Sequence, residues 1–286
     1  MPHHLSTSSP TFPPPPAARH YHPTLSIWLS VDPMSDKYPG VSPYAYCGNN
    51  PVKLVDPDGR EIVIHGNKRA VRDYFKEIKK GARTLGVKVS MNKSGQLRGE
   101  YVGTESPSEE ASLLLNAIND KRIHVNIWAT YNDYSQFGNK KPIPMFGGTF
   151  KGNLIIAKQA FCFQQVNPID LKRMDAFYKK PGQSSLHELT ESYIGGILAL
   201  AVNFGDIRTG QSNMFYEISH REAIEQSGPI YRYYFDINGV QCPIEDAIAI
   251  GYRGESKGRG SMFKQVDIDK KPKNYIPIPL PQNIIH

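Results

Sequence analysis

The stretch SSLHELTESYIGGILALAV, Ser184–Val202, decides how the rest of the chain is read. Leu186, Leu189, Tyr193, Ile194, Ile197 and Leu198 recur at helical spacing, so the segment is predicted to be a helix with substantial apolar cover. Within it His187 and Glu191 stand four residues apart and project from one face, one turn from each other. An imidazole nitrogen and a carboxylate oxygen at that spacing can hold one divalent ion. Glu188 follows the first of these. The pair Gly195-Gly196 costs a helix roughly 1 kcal/mol each relative to alanine, which points to close packing against a neighbour or to a helix break.

A catalytic zinc takes three protein ligands and keeps a fourth position open. The third candidate lies in NMFYEISHREAIEQSG, inside a second predicted helix around 212–226, where His220 is accompanied by Glu217 and Glu222. The HELTE run is one residue from the His-Glu-x-x-His signature, and on these residues the segment resembles zincin-like metallopeptidase toxins as an HExxE variant. The resemblance implies zinc held by His187, Glu191 and His220. This is the His₂Glu inventory of gluzincins with the order of ligands exchanged. It also implies Glu188 as the general base, taking a proton from the attacking water and delivering it to the leaving amine, with a protein or peptide as substrate. The competing reading has His187 filling a polar pocket, Glu188 and Glu191 facing solvent, and His220 as an ordinary surface residue.

Around these helices the pattern is mixed. EIVIHG alternates like a strand, and the helix that follows places Val71, Phe75 and Ile78 on one face. VKVSM and GEYVG suggest a hairpin. SPSEEASLLLNAIND carries a capping pattern at Ser106 and Glu109. RIHVNIWATY is a strand, GGTFKGNLIIAKQAF a hairpin or edge strand, and a loop precedes the site helices. PIYRYYFDINGVQ is strand-like, and GYRGESKGRG reads as a flexible Gly-rich loop. The expected fold class is α+β: a mixed sheet with two site-bearing helices, zincin-like, preceded by a turn-rich β segment.

That preceding segment is distinctive. Residues 1–18 form a Pro/Ser-rich leader expected to be disordered, without the apolar region of a Sec signal peptide. Residues 19–60 alternate turn residues with short aromatic pieces. SIWLSVDPMSDKYPGVSPYAYCGNNPVKLVDPDGRE closely resembles the RHS-repeat-associated core segment of bacterial polymorphic toxins. The resemblance implies that residues 61–286 are a variable C-terminal toxin, here the metallopeptidase-like domain. It further implies secretion or delivery to a target cell by a non-Sec route, and a cognate immunity protein. The family cleaves itself after a DPxG-Leu element. VDPDGR, with Asp56 and Asp58, occupies that place and carries Arg60 where the family prefers Leu. The upstream repeats that build the family's shell are missing, so the chain reads as a cassette.

Composition sets further bounds. Three cysteines, Cys47, Cys162 and Cys242, form no CxxC pair and read as reduced structural thiols. The most apolar run, YIGGILALAVNF, is about half the ~20 residues needed to cross a bilayer, so no membrane-spanning segment is expected. A net charge of +7 permits nucleic-acid binding, but the basic residues are dispersed, not striped, and nucleic acid is not the favoured partner. His65 and His124 fall in strands and read as satisfied core or edge histidines. Two alternatives to the peptidase stay open: a nuclease toxin acting on DNA or RNA, and a non-catalytic binding module.

Overall fold

A computed structural model describes residues 21–22, 27–28, 61–135, 143–205, 215–256 and 260–268. The leader, most of the turn-rich segment, Cys47, Asp56 and Asp58 lie outside the described residues. The chain divides into two compact units, Met1–Asp58 and Gly59–His286. In the first, β1 (Tyr21–His22) pairs antiparallel with β2 (Ile27–Trp28).

The second unit opens with β3 (Glu61–Gly66) and α1 (Lys68–Thr84), whose start is capped by the Asn67 side chain accepting from the Arg69 amide. The predicted hairpin is β4 (Val87–Met91) with β5 (Leu97–Tyr101). Next comes α2 (Glu109–Asn119), capped by Ser108, which accepts from the Ala111 amide. The cap therefore sits two residues past the expected Ser106. Pro107 favours extended backbone at Ser106 and sits before the helix, and Ser108 is the hydroxyl placed to meet the first turn. β6 (Ile123–Ala129) follows, then the short antiparallel pair β7 (Tyr134–Ser135) and β8 (Ile143–Pro144).

The predicted hairpin at 147–161 is the pair β9 (Gly148–Ile156) and β10 (Gln159–Val166). The main sheet runs β3-β6-β10-β9, parallel between its first three strands and antiparallel at β9. The fold is thus α+β with a mixed sheet, as the pattern indicated. β9 lies at the sheet's edge.

Beyond β10 stand α3 (Pro168–Tyr178), α4 (Gln183–Val202) and α5 (Tyr216–Glu222). α3 occupies part of a stretch read as loop. Its signals were local: Asn167 caps the Ile169 amide and Pro168 takes the first helical position. Buried Asp170 and Asp175 disguise its inward face. α4 packs on β6, β9 and β10 and on α1, α3 and α5. It is buried nearly all round through its first fourteen residues, Gln183 excepted, and so is the hub of the core. Both glycines serve packing and neither breaks the helix. A Cβ on Gly195 would lie 2.5 Å from Phe150 Cζ, and one on Gly196 would lie 2.5 Å from Ile123 Cγ2 and 2.7 Å from Cys162 Sγ.

A second sheet, β11 (Ile230–Phe235), β12 (Ala249–Ser256) and β13 (Gly260–Asp267), is antiparallel throughout. GYRGES is therefore strand β12, not loop. Gly251 is there because the Phe235 and Phe263 rings close over it, each 2.7 Å from where a Cβ would stand. Lys264 of β13 ties this sheet to α3, with its ammonium 2.7 Å from both Asp170 carboxylate oxygens. Cys162 is a buried free thiol and Cys242 is also unbridged.

Candidate metal centre

The start of α4 is fixed from two sides. Asp175 of α3 accepts from the Ser184 amide at 3.0 Å, satisfying a free N–H of the first turn. The Tyr74 hydroxyl of α1 donates to the Ser185 carbonyl at 3.0 Å. One turn further on, His187, Glu188 and Glu191 emerge from a helix that cannot rotate without unpacking the core.

His187 and Glu191 are both buried, with side chains only 3% exposed. His187 donates its Nδ1–H to the Ile224 carbonyl at 2.7 Å, which leaves the Nε2 lone pair pointing the other way. There it meets His220 Nδ1 at 2.9 Å, and the same His220 nitrogen lies 2.9 Å from Glu191 Oε1. His187 Nε2 and Glu191 Oε1 are 3.9 Å apart. One ligand atom from each of the three residues falls within 4.8 Å of the others. Among the described residues this is the only such group of three or more His, Cys, Asp or Glu side chains. The structure therefore brings together all three sequence-predicted ligands. The donor set fits a divalent ion: two imidazole nitrogens and one carboxylate, with one ring already oriented by a backbone carbonyl. Burial holds the His187 imidazole below its usual pKa, and so neutral, partly countered by the Glu191 carboxylate.

Glu188 lies beside this group at the floor of a cleft of about 460 Å³. Burial pushes its carboxyl well above the usual carboxylate range, and the Glu191 charge pushes the same way. Gln164 of β10 donates its side-chain amide to Glu188 and, at 3.4 Å, to Glu191, so one neutral donor orients both acids. Gly148 of β9 makes room for Glu188: a Cβ there would run into the carboxylate. Tyr216 stacks on the His220 ring, centroids 5.3 Å apart. Burial, with the two glutamates, drives the Tyr216 phenol up to about 12, which keeps it a neutral donor beside the cleft.

Gln164, Gly148 and Tyr216 escaped the sequence reading. The signal for Gln164 was a Gln-Gln pair interrupting the apolar run FCFQQV. The other two had none, because their roles exist only through tertiary contact. His65 and His124 are elsewhere. His65 meets Asn126 at 3.1 Å and stacks on Trp128, and His124 stacks on Phe161. Glu217 and Glu222 are exposed and outside the cluster.

Among the described residues no helix is long and apolar enough to cross a membrane. No protein-family model matches the chain, and no solved structure matches it. Among curated proteins, salivary gland surface protein 1 of Aedes aegypti is 25% identical over 140 residues. The match covers 48% of this chain and 3% of that much longer protein.

Proposed function

We propose that this chain is the C-terminal effector of an RHS-type polymorphic toxin and acts as a zinc-dependent peptidase. The observation that carries the peptidase reading is the convergence of His187, Glu191 and His220 from two helices beside buried Glu188. The toxin context rests on the RHS-like segment at 19–60. With it come delivery by a non-Sec route and an immunity protein as partner.

His187, Glu191 and His220 would hold the zinc, and a zinc ion held there supplies Lewis acidity. Glu188 is buried beside the cluster, and Gln164 donates to its carboxylate and fixes its orientation, as a general base at this position requires. It takes the proton of the attacking water and returns it to the leaving amine. The Tyr216 phenol supplies a neutral hydrogen-bond donor at the same wall. The first residues of β9 line the cleft at the sheet's edge, where an extended peptide can add as a further strand.

The test is zinc stoichiometry and peptide hydrolysis measured on the same preparations of wild type and Glu188→Gln. The expected result is about one zinc bound per chain by the cluster in both proteins and hydrolysis only in the wild type. A wild type without cluster-bound zinc removes the metal centre. Zinc binding without hydrolysis leaves a non-catalytic module, and cleavage of DNA or RNA in place of peptide leaves a nuclease.

A further inference from the structure

The cleft that holds Glu188, Glu191 and His220 is also lined by β11 and β12 of the second sheet. Arg232 of β11 stands directly across the ladder from Tyr252 of β12, and both residues line the cleft. Ile230, two residues before Arg232 and so on the same face, lines it as well.

Neighbouring cations are engaged. Lys264 bonds Asp133 and Asp170, Arg253 pairs with Glu255, and Arg173 donates to the Phe263 carbonyl. Arg232 is exposed, and among the described residues it makes no hydrogen bond or ion pair. It is also the one Lys or Arg among the described residues lining this cleft.

We infer that Arg232 is a specificity residue that receives a carboxylate of a bound peptide, either an acidic side chain or the chain end. A guanidinium presents a planar fork of N–H donors matched to a carboxylate. A nucleic-acid backbone needs several cations in register, and this cleft offers one cation and two glutamates. The inference rests on the peptidase reading for its substrate class, but binding can be measured without turnover.

The experiment uses the full chain carrying Glu188→Gln, loaded with zinc, and calorimetry with three N-acetylated peptides of otherwise identical sequence. One is neutral and amidated, one is amidated with a single Glu, and one is neutral with a free C-terminal carboxylate. At least one carboxylate peptide is expected to bind about tenfold or more tightly than the neutral one. Arg232→Ala removes that difference without changing the melting temperature, and Arg232→Lys keeps part of it. Which peptide responds separates side chain from chain end. Equal binding of all three peptides, or a preference that survives Arg232→Ala, overturns the inference. So does a single-stranded oligonucleotide that displaces the peptides in an Arg232-dependent way. A carboxylate preference in a protein whose Glu188 parent hydrolyses no peptide would keep this site and remove the peptidase reading. Peptide hydrolysis indifferent to Arg232 would do the reverse.

Discussion

His220 Nδ1 stands 2.9 Å from His187 Nε2, with the two rings nearly perpendicular at 86°. Thirty-three residues separate them in sequence. His187 belongs to the core hub, whereas the His220 side chain is 38% exposed on a seven-residue helix. His187→Ala, Glu191→Ala and His220→Ala are each expected to remove cluster-bound zinc, read as the loss of about one zinc per chain relative to wild type. His187→Ala should additionally lower apo-protein stability by about 1 kcal/mol, because the buried Ile224 carbonyl loses its donor. His220→Ala should also lower apo-protein stability by about 1 kcal/mol, because the buried Glu191 carboxylate loses its His220 partner. Unchanged zinc content in all three would eliminate the centre.

Gly148→Ala puts a methyl group where the Glu188 carboxylate lies. Zinc binding should persist, since no ligand is displaced, while peptide hydrolysis falls by about 100-fold, the lower range for losing a positioned general base. Paired measurements of metal content and initial rate decide it. Full activity would mean that Glu188 works from some other position.

Gly196→Ala tests the helix against its surroundings. In an isolated helix the change gains about 1 kcal/mol, but here the new methyl group meets Ile123 and Cys162 well inside contact distance. Overpacking costs about 1–3 kcal/mol, so a net loss is expected, seen as a lower denaturant midpoint with unchanged slope. A stabilised variant would show that the sheet yields easily there.

These positions show what could be read from the chain alone. His187, Glu188 and Glu191 were legible because their relation is local: four residues of helix fix it. His220 was legible as a candidate by residue type, but its approach depends on the turn at Ile224 folding back onto α4. α3 escaped because two buried acids break its apolar period. β12 escaped because Gly251, which admits Phe235 and Phe263, and Gly254, which faces Tyr178 and Met262, look like the glycines of a loop. Gln164 escaped because a buried amide has no sequence period at all.

Lys151 of β9 is buried, only 6% exposed, and burial pulls its ammonium down to about 8. Below pH 8 both folded and unfolded states carry the proton, and the folded state bears the whole desolvation penalty. As pH rises through 8 the folded lysine becomes neutral, and the penalty vanishes above the unfolded value of about 10.4. Lys151→Met should therefore stabilise the protein by about 2 kcal/mol at pH 7 and by much less at pH 10. Thermal melts at the two pH values provide the check, and an equal gain at both would refute the assignment.

Lys264→Met would leave Asp170, 2% exposed, without its cation. Breaking a buried pair from one side costs about 3 kcal/mol or more, so a marked fall in denaturant midpoint is expected. Because Lys264 joins the second sheet to α3, amide exchange in β13 should rise more than exchange in β6. A uniform rise across both strands would contradict that.

The backbone of Ile224 is held by α4 at both of its polar groups: the Thr190 hydroxyl accepts its N–H at 3.1 Å, and His187 donates to its carbonyl. His220, on the short helix just before Ile224, already meets His187 and Glu191 of the same hub, and a bound metal would tighten that fastening. Ion affinity and the seating of α5 are then coupled, so a chelator would leave residues 216–224 held to α4 by hydrogen bonds alone and raise their amide exchange relative to the main sheet. The same ion that equips the site for chemistry would also serve as its latch.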